Sequence, residues 1–216
     1  PEEYRNVLYM GNIHGGCINA DIVERTGSTY AGKPHPGFEP KKGAWDNDEY
    51  GIIAKTGEEN APKLADFLSA NDPWFMPVVQ KVGPDGCLYI LDWYDRYHCY
   101  QDANADPEGI ERAKGRLYRV RYKDSPHAQP FDLAQQTDDE LIALLSDPNV
   151  YMRDTAQRLL AERNDSETAG KLQAISFDQS RSEQERLHAL FAWAGMSGQH
   201  RPANSLLSYE NDTVDL

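Results

Sequence analysis

Three groups of side chains in this sequence have types and spacings suited to chemistry. The first is the run Asp92-Trp93-Tyr94-Asp95-Arg96, with His98 just beyond it. Carboxylates and a guanidinium this close either orient a polar ligand, with Trp93 or Tyr94 as a stacking wall, or satisfy each other as a structural ion pair. The second is His14, in the turn Ile13-His14-Gly15-Gly16. Imidazole titrates near neutrality, so His14 reads as a general base or a partner for a quinone cofactor, and equally as a turn histidine bonded to backbone. The third is Asp102, Asn104 and Asp106, oxygen ligands on alternate residues as at the start of a calcium loop. That match is weak, because Pro107 stands where the loop needs glycine and Ala113 where it needs a bidentate carboxylate. Arg112, Lys114, Arg116, Arg119 and Arg121 add a local basic cluster, read as a solvated strand face.

These residues sit in a chain of 216, of which 39% are hydrophobic, enough for one large domain or two small ones with a buried core. Lys and Arg number 22 against 35 Asp and Glu, a formal charge of −13. Such a charge repels nucleic acid and anionic membranes, so neither is an expected partner. No apolar run approaches the ~18 residues of a spanning helix. The opening Pro-Glu-Glu-Tyr does not read as a signal peptide, and a start without Met is expected of a segment of a longer chain. The three cysteines, Cys17, Cys87 and Cys99, form no C-x-x-C or C-x-x-C-H. Zinc ribbons, thioredoxin-type redox chemistry and covalent haem attachment are thereby excluded within this segment.

The elements that must position the candidates change character along the chain. Residues 1–124 read as short β-rich bursts between Gly, Pro, Asn and Asp clusters, 125–134 as a linker, and 135–216 as helical repeats. Asn6 to Met10 and Cys17 to Val23 flank the His14 turn as one hairpin. Val78 to Val82 and Cys87 to Leu91 flank Gly83-Pro84-Asp85-Gly86 as another, in which Pro presets φ and Asp-Gly closes the turn. The returning run is apolar on both faces, which predicts a strand between stacked sheets in a sandwich or between propeller blades. Arg116 to Lys123 alternates as a more exposed strand, and 31–62 reads as a long loop around Trp45. Thr137-Asp138-Asp139-Glu140 and Ser182-Glu183-Gln184-Glu185 are capping boxes, Asp147-Pro148-Asn149 opens a further helix, and another spans about 167–175. Paired amphipathic helices at this spacing predict an α-solenoid. Leu88, Ile90, Leu141, Leu145, Leu159, Leu190 and Phe191 are the expected core positions.

Three runs carry a family resemblance: Asn71-Asp72-Pro73-Trp74-Phe75-Met76-Pro77, Val82 to Arg96, and Lys114 to Val120. Together they resemble the closing blade of the membrane-bound dehydrogenases of planctomycete type, which are similar to the six-bladed propeller of soluble quinoprotein glucose dehydrogenases. Asp147 to Leu160 resembles a HEAT-like repeat. The resemblance implies the last blades of an antiparallel β-propeller followed by HEAT-like helical hairpins. It further implies a secreted or periplasmic protein that oxidises a sugar or alcohol, with pyrroloquinoline quinone and calcium as cofactors and a c-type cytochrome domain as electron acceptor outside this segment. A non-catalytic propeller and solenoid scaffold that binds carbohydrate or protein is the competing reading. In a propeller the second-to-third-strand turns and the connection between blades leave on one face. With Ala65 to Leu68 as the outer strand, His14, Asn71, Trp74, Asp92, Tyr94, Asp95, Arg96 and His98 are then expected to line one polar pocket.

Overall fold

Asn6 adopts a left-handed backbone (φ 55°) and turns the chain into β1 (Val7–Asn12), which returns as β2 (Cys17–Thr26). The pair is antiparallel, with Val7 opposite Ile22 and Asn12 opposite Cys17. Two further strands share the other edge of β2: β3 (Thr29–Pro34) pairs with its second half and β4 (Asp66–Ser69) with Cys17–Asn19, both antiparallel. A second sheet holds β5 (Pro77–Val82), β6 (Leu88–Asp92) and β7 (Arg116–Val120) in that order, with β6 and β7 antiparallel. This computed structural model describes residues 4, 6–13, 16–38, 66–72, 74–95 and 113–197. The β5–β6 turn closes through Gly83 N–H donating to Cys87 O (2.8 Å), and Gly86 takes the positive φ of 73° that a side chain would resist.

The two sheets meet on a shared apolar seam. Ile18, Phe75 and Ile90 are buried at its centre, with Tyr9, Phe67, Leu68, Leu88, Tyr118 and Val120 packed around them. Each such side chain removed from water contributes about 1.5–3 kcal/mol. The backbones approach closely at Gly11, for a Cβ there would stand 2.2 Å from Pro77 O.

Several expectations need correction. The returning strand is not buried on both faces: Ile90 is buried, Leu88 half-buried and Leu91 exposed. Alternation puts Leu91 on the face turned away from the first sheet, and apolarity alone does not report the number of covering layers. Residues 31–34, read as the start of a loop, complete β3. They were legible as a strand only through pairing with β2, because Gly32 and Pro34 lower local β propensity.

Among the described residues, four helices follow. A 3-10 turn over Leu133–Gln135 precedes α1 (Asp138–Ala143), α2 (Val150–Arg163), α3 (Ser166–Phe177) and α4 (Glu183–Gly195). Thr137 caps α1 reciprocally: its Oγ1 accepts from Glu140 N, while Glu140 accepts from the Thr137 N–H. Asn149, Asp165 and Ser182 cap the other three through side-chain oxygens. Asn164 ends α2 in the left-handed region (φ 52°) that such C-terminal positions favour. Leu141, Leu145, Ala156, Leu160, Leu172, Leu190 and Trp193 form the helical core. Leu159 is half-buried and Phe191 is 52% exposed, against the expectation of core positions. On α4 the buried stripe runs through Ala189, Leu190, Ala192 and Trp193, which rotates Phe191 outward.

Contacts divide the chain into two units, one comprising 1–81 and 88–123, the other 82–87 and 124–216. Within the second, Asn149 Nδ2 donates to Gly83 O (3.0 Å) and Pro84 O (3.1 Å) while its Oδ1 caps α2.

Candidate functional site

Arg116, the first residue of β7, gathers the polar groups of the first unit. Its Nε donates to Asp92 Oδ2 and its Nη1 to Asp72 Oδ2, each at 2.6 Å. Asp92 ends β6 directly opposite Arg116 in the strand register, so the pairing follows from the sheet itself. Asp72 arrives on the connection from β4 to β5. There its Oδ1 accepts from Trp74 N (2.9 Å) and its carbonyl from Phe75 N (3.0 Å), which folds the connection into a turn.

Asp92 also fixes backbone. Its Oδ1 accepts from Met76 N (2.8 Å) and from Tyr94 N (2.9 Å). The second bond holds Tyr94 in the left-handed region (φ 56°), a conformation that costs a non-glycine residue energy unless its surroundings impose it. So held, the Tyr94 ring lies 4.1 Å from the Arg116 guanidinium carbon and 5.3 Å from the Trp74 ring. Tyr118 faces the guanidinium from 5.4 Å. Trp74, Tyr94, Arg116 and Tyr118 therefore form a run of planar groups in contact.

The electrostatics follow from this enclosure. Burial opposes the Arg116 charge, but the hydrogen bonds to Asp72 and Asp92 outweigh it and hold the guanidinium above its ordinary value. Burial pushes the Tyr118 phenol up, with Arg116 opposing and the two carboxylates assisting. Every carboxylate oxygen of Asp72 and Asp92 holds a hydrogen bond. Arg116 Nη2 is buried with no hydrogen-bond partner among the described residues. The arrangement is suited to fixing a connection and an aromatic face, not to taking a proton.

Of the residues singled out from the sequence, Trp74, Asp92 and Tyr94 come together here. Asn71 borders them, exposed and in the left-handed region (φ 54°), and Asp95 is buried just after Tyr94. His14, Arg96, His98, Asp102, Asn104 and Asp106 lie outside the described residues. Among those described, no three His, Cys, Asp or Glu side chains converge to hold a metal ion. The ionic partner of Asp92 is Arg116, which the sequence reading had placed on a solvated strand face. The signal was present: alternation puts Arg116 on the side of Tyr118 and Val120, the side that turns toward the seam. Asp72 was legible too, as the side chain opening an Asp-Pro-Trp turn.

A second polar group lies on β2 and β4. Cys17 Sγ donates to the buried Asp66 carboxylate (3.5 Å), and Asn19 Nδ2 donates to the same oxygen (2.7 Å). Burial, then the Asp66 charge, push the Cys17 thiol up to about 12. It stays protonated near neutrality, which makes it a poor nucleophile.

Residues 46–124 match a family described as a domain of unknown function, DUF7133. The match spans β4 to β7 and so includes Asp72, Asp92 and Arg116. No curated protein and no solved structure matches the chain.

Proposed function

We propose that this chain is the closing part of a β-propeller followed by HEAT-like repeats, within a secreted or periplasmic protein that oxidises a sugar or alcohol and passes electrons to a c-type cytochrome domain. The observation that carries the propeller is the order of strands. In the first sheet β1, β2 and β3 follow in order and β4 pairs with β2 beside β3, and β5 then opens a second antiparallel sheet that shares an apolar seam with the first. The HEAT-like part is supported by four capped helices sharing one core. The dehydrogenase part rests on the family resemblance. Among the described residues no three His, Cys, Asp or Glu side chains converge to hold a metal ion, and no step is assigned to them.

One observation favours the competing reading, a carbohydrate- or protein-binding scaffold: the polar cluster around Arg116 is engaged internally. The test is to purify the natural protein, load it with pyrroloquinoline quinone and calcium, and offer aldoses and alcohols with an artificial electron acceptor. Quinone-dependent oxidation supports the first reading. Saccharide binding with no oxidation of any substrate supports the scaffold and overturns it.

A further inference from the structure

Arg153, in the first turn of α2, fastens several places at once. Its Nε donates to His188 Nε2 on α4 (3.1 Å), and its Nη1 donates to the carbonyl of Asp147 (2.6 Å). The side-chain oxygen of Gln184, one turn before His188, accepts from Nε at 2.7 Å and from Nη2 at 3.0 Å in the amide orientation that these donors require. Asp147 opens the turn into α2. Its Oδ1 accepts from Asn149 N (2.7 Å), and Asn149 Oδ1 accepts from Tyr151 N (3.0 Å). Asn149 Nδ2 donates to the carbonyls of Gly83 (3.0 Å) and Pro84 (3.1 Å). A continuous chain of hydrogen bonds therefore runs from His188 through Arg153, Asp147 and Asn149 to the β5–β6 turn.

The His188 end of this chain depends on a lone pair. A guanidinium only donates, so Nε2 must be unprotonated, and the one ring proton sits on Nδ1, 3.0 Å from the accepting Gln157 Oε1. A proton on Nε2 would set donor against donor and cation against cation at 3.1 Å. The surrounding charges do not relieve that conflict. Asp154, beside Arg153 on α2, favours the protonated ring but is exposed, and Arg153 opposes it. On α4, Glu185 is engaged by Arg181. On α3, Glu167 and Lys171 pair with each other, and Lys171 also with Asp139 of α1. The 3-10 turn Leu144–Ser146, which packs against α4 as well, carries no charge. We propose that His188 and Arg153 form a proton-operated latch on the turn into α2. With the ring neutral, Arg153 holds the Asp147 carbonyl; with the ring protonated, the guanidinium leaves, the 147–149 turn opens and Asn149 lets go of Gly83 and Pro84. Burial first, then the Arg153 charge, hold the ring below its usual value of 6.5, which puts the release on the acid side of neutrality. The inference rests on neither functional reading above.

The test is a nuclear magnetic resonance titration of the 216-residue chain from about pH 8 to about pH 5. The ring nitrogen shifts of His188 report its protonation, and amide hydrogen exchange, corrected for its intrinsic pH dependence, reports the latch. Protection at the Asn149 and Tyr151 amides should fall at least about tenfold, with the midpoint of the His188 titration. Ala169, whose amide donates to Asp165 O at the start of α3, should keep its protection and so separates the latch from general acid unfolding. His188→Gln supplies an acceptor that does not titrate and should abolish the step. Arg153→Gln removes the latch and should leave both amides poorly protected at either pH. Protection that does not fall, a fall with a different midpoint, a fall shared equally by Ala169, or a step that survives in His188→Gln overturns the proposal. The comparison of midpoints uses the unsubstituted chain, so it decides the matter even where a variant fails to fold.

Discussion

At Arg116 a single side chain ties together two carboxylates and two aromatic rings. Replacing it with leucine would strand the Asp92 carboxylate, whose side chain is fully buried, while Asp72 regains water. Breaking a buried pair on one side costs about 3–5 kcal/mol, and the partial exposure of Arg116 reduces this to about 2–3 kcal/mol. Urea unfolding of the chain should show that loss for Arg116→Leu and a smaller one for Arg116→Lys, which keeps the charge but not the fork that spans both carboxylates. His188 on α4 supports a pH prediction. Arg153 Nε donates to its Nε2 (3.1 Å) and Gln157 Oε1 lies 3.0 Å from its Nδ1, an arrangement that requires the neutral ring. Burial first, then the Arg153 charge, hold His188 below its usual value of 6.5, with Asp154 opposing. The unfolded chain therefore takes up the proton first. The contribution of this group is fully present above about pH 6.5 and is lost as pH falls through the lower folded value. Melting followed at the helical signal between pH 8 and 5 should fall over that range, and His188→Gln should flatten the dependence.

Among the elements, caps and core positions make separable contributions. Thr137→Ala removes one half of a capping box and is expected to cost about 1 kcal/mol. Asn149→Ala should cost more, about 1–2 kcal/mol, because the same side chain caps α2 and holds the carbonyls of Gly83 and Pro84. Within α2, Leu160 is fully buried and Leu159 is not. Denaturation midpoints should thus place Leu160→Ala at a loss of about 2–5 kcal/mol and Leu159→Ala well below it. Helix boundaries were readable in the sequence, since Thr137, Asn149 and Ser182 announce them through local hydrogen bonds that need no tertiary partner. The outward turn of Phe191 was not, because helical spacing allows more than one apolar stripe on α4 and packing with α2 and α3 selects one.

For the molecule as a whole, the seam between the sheets is the least forgiving feature. A Cβ at Gly11 would collide with a backbone oxygen of Pro77, which no rotamer change relieves. Gly11→Ala should destabilise the first unit by about 1–3 kcal/mol, read from near-ultraviolet dichroism, while the helical signal melts nearly as before. By itself the sequence determined the division into strands and then helices, the two hairpins, the capped starts of the helices and a charge that repels nucleic acid. All of these follow from period, turn residues and composition, which act over a few neighbouring positions. Only the tertiary structure decided that β4 returns to β2 across the 39–65 segment, that Leu91 and Leu117 face outward while Ile18 and Ile90 are enclosed, and that Asp92 pairs with Arg116. Those outcomes join residues tens of positions apart, and which face of an apolar strand is covered depends on the layers stacked against it, a quantity that no local pattern encodes.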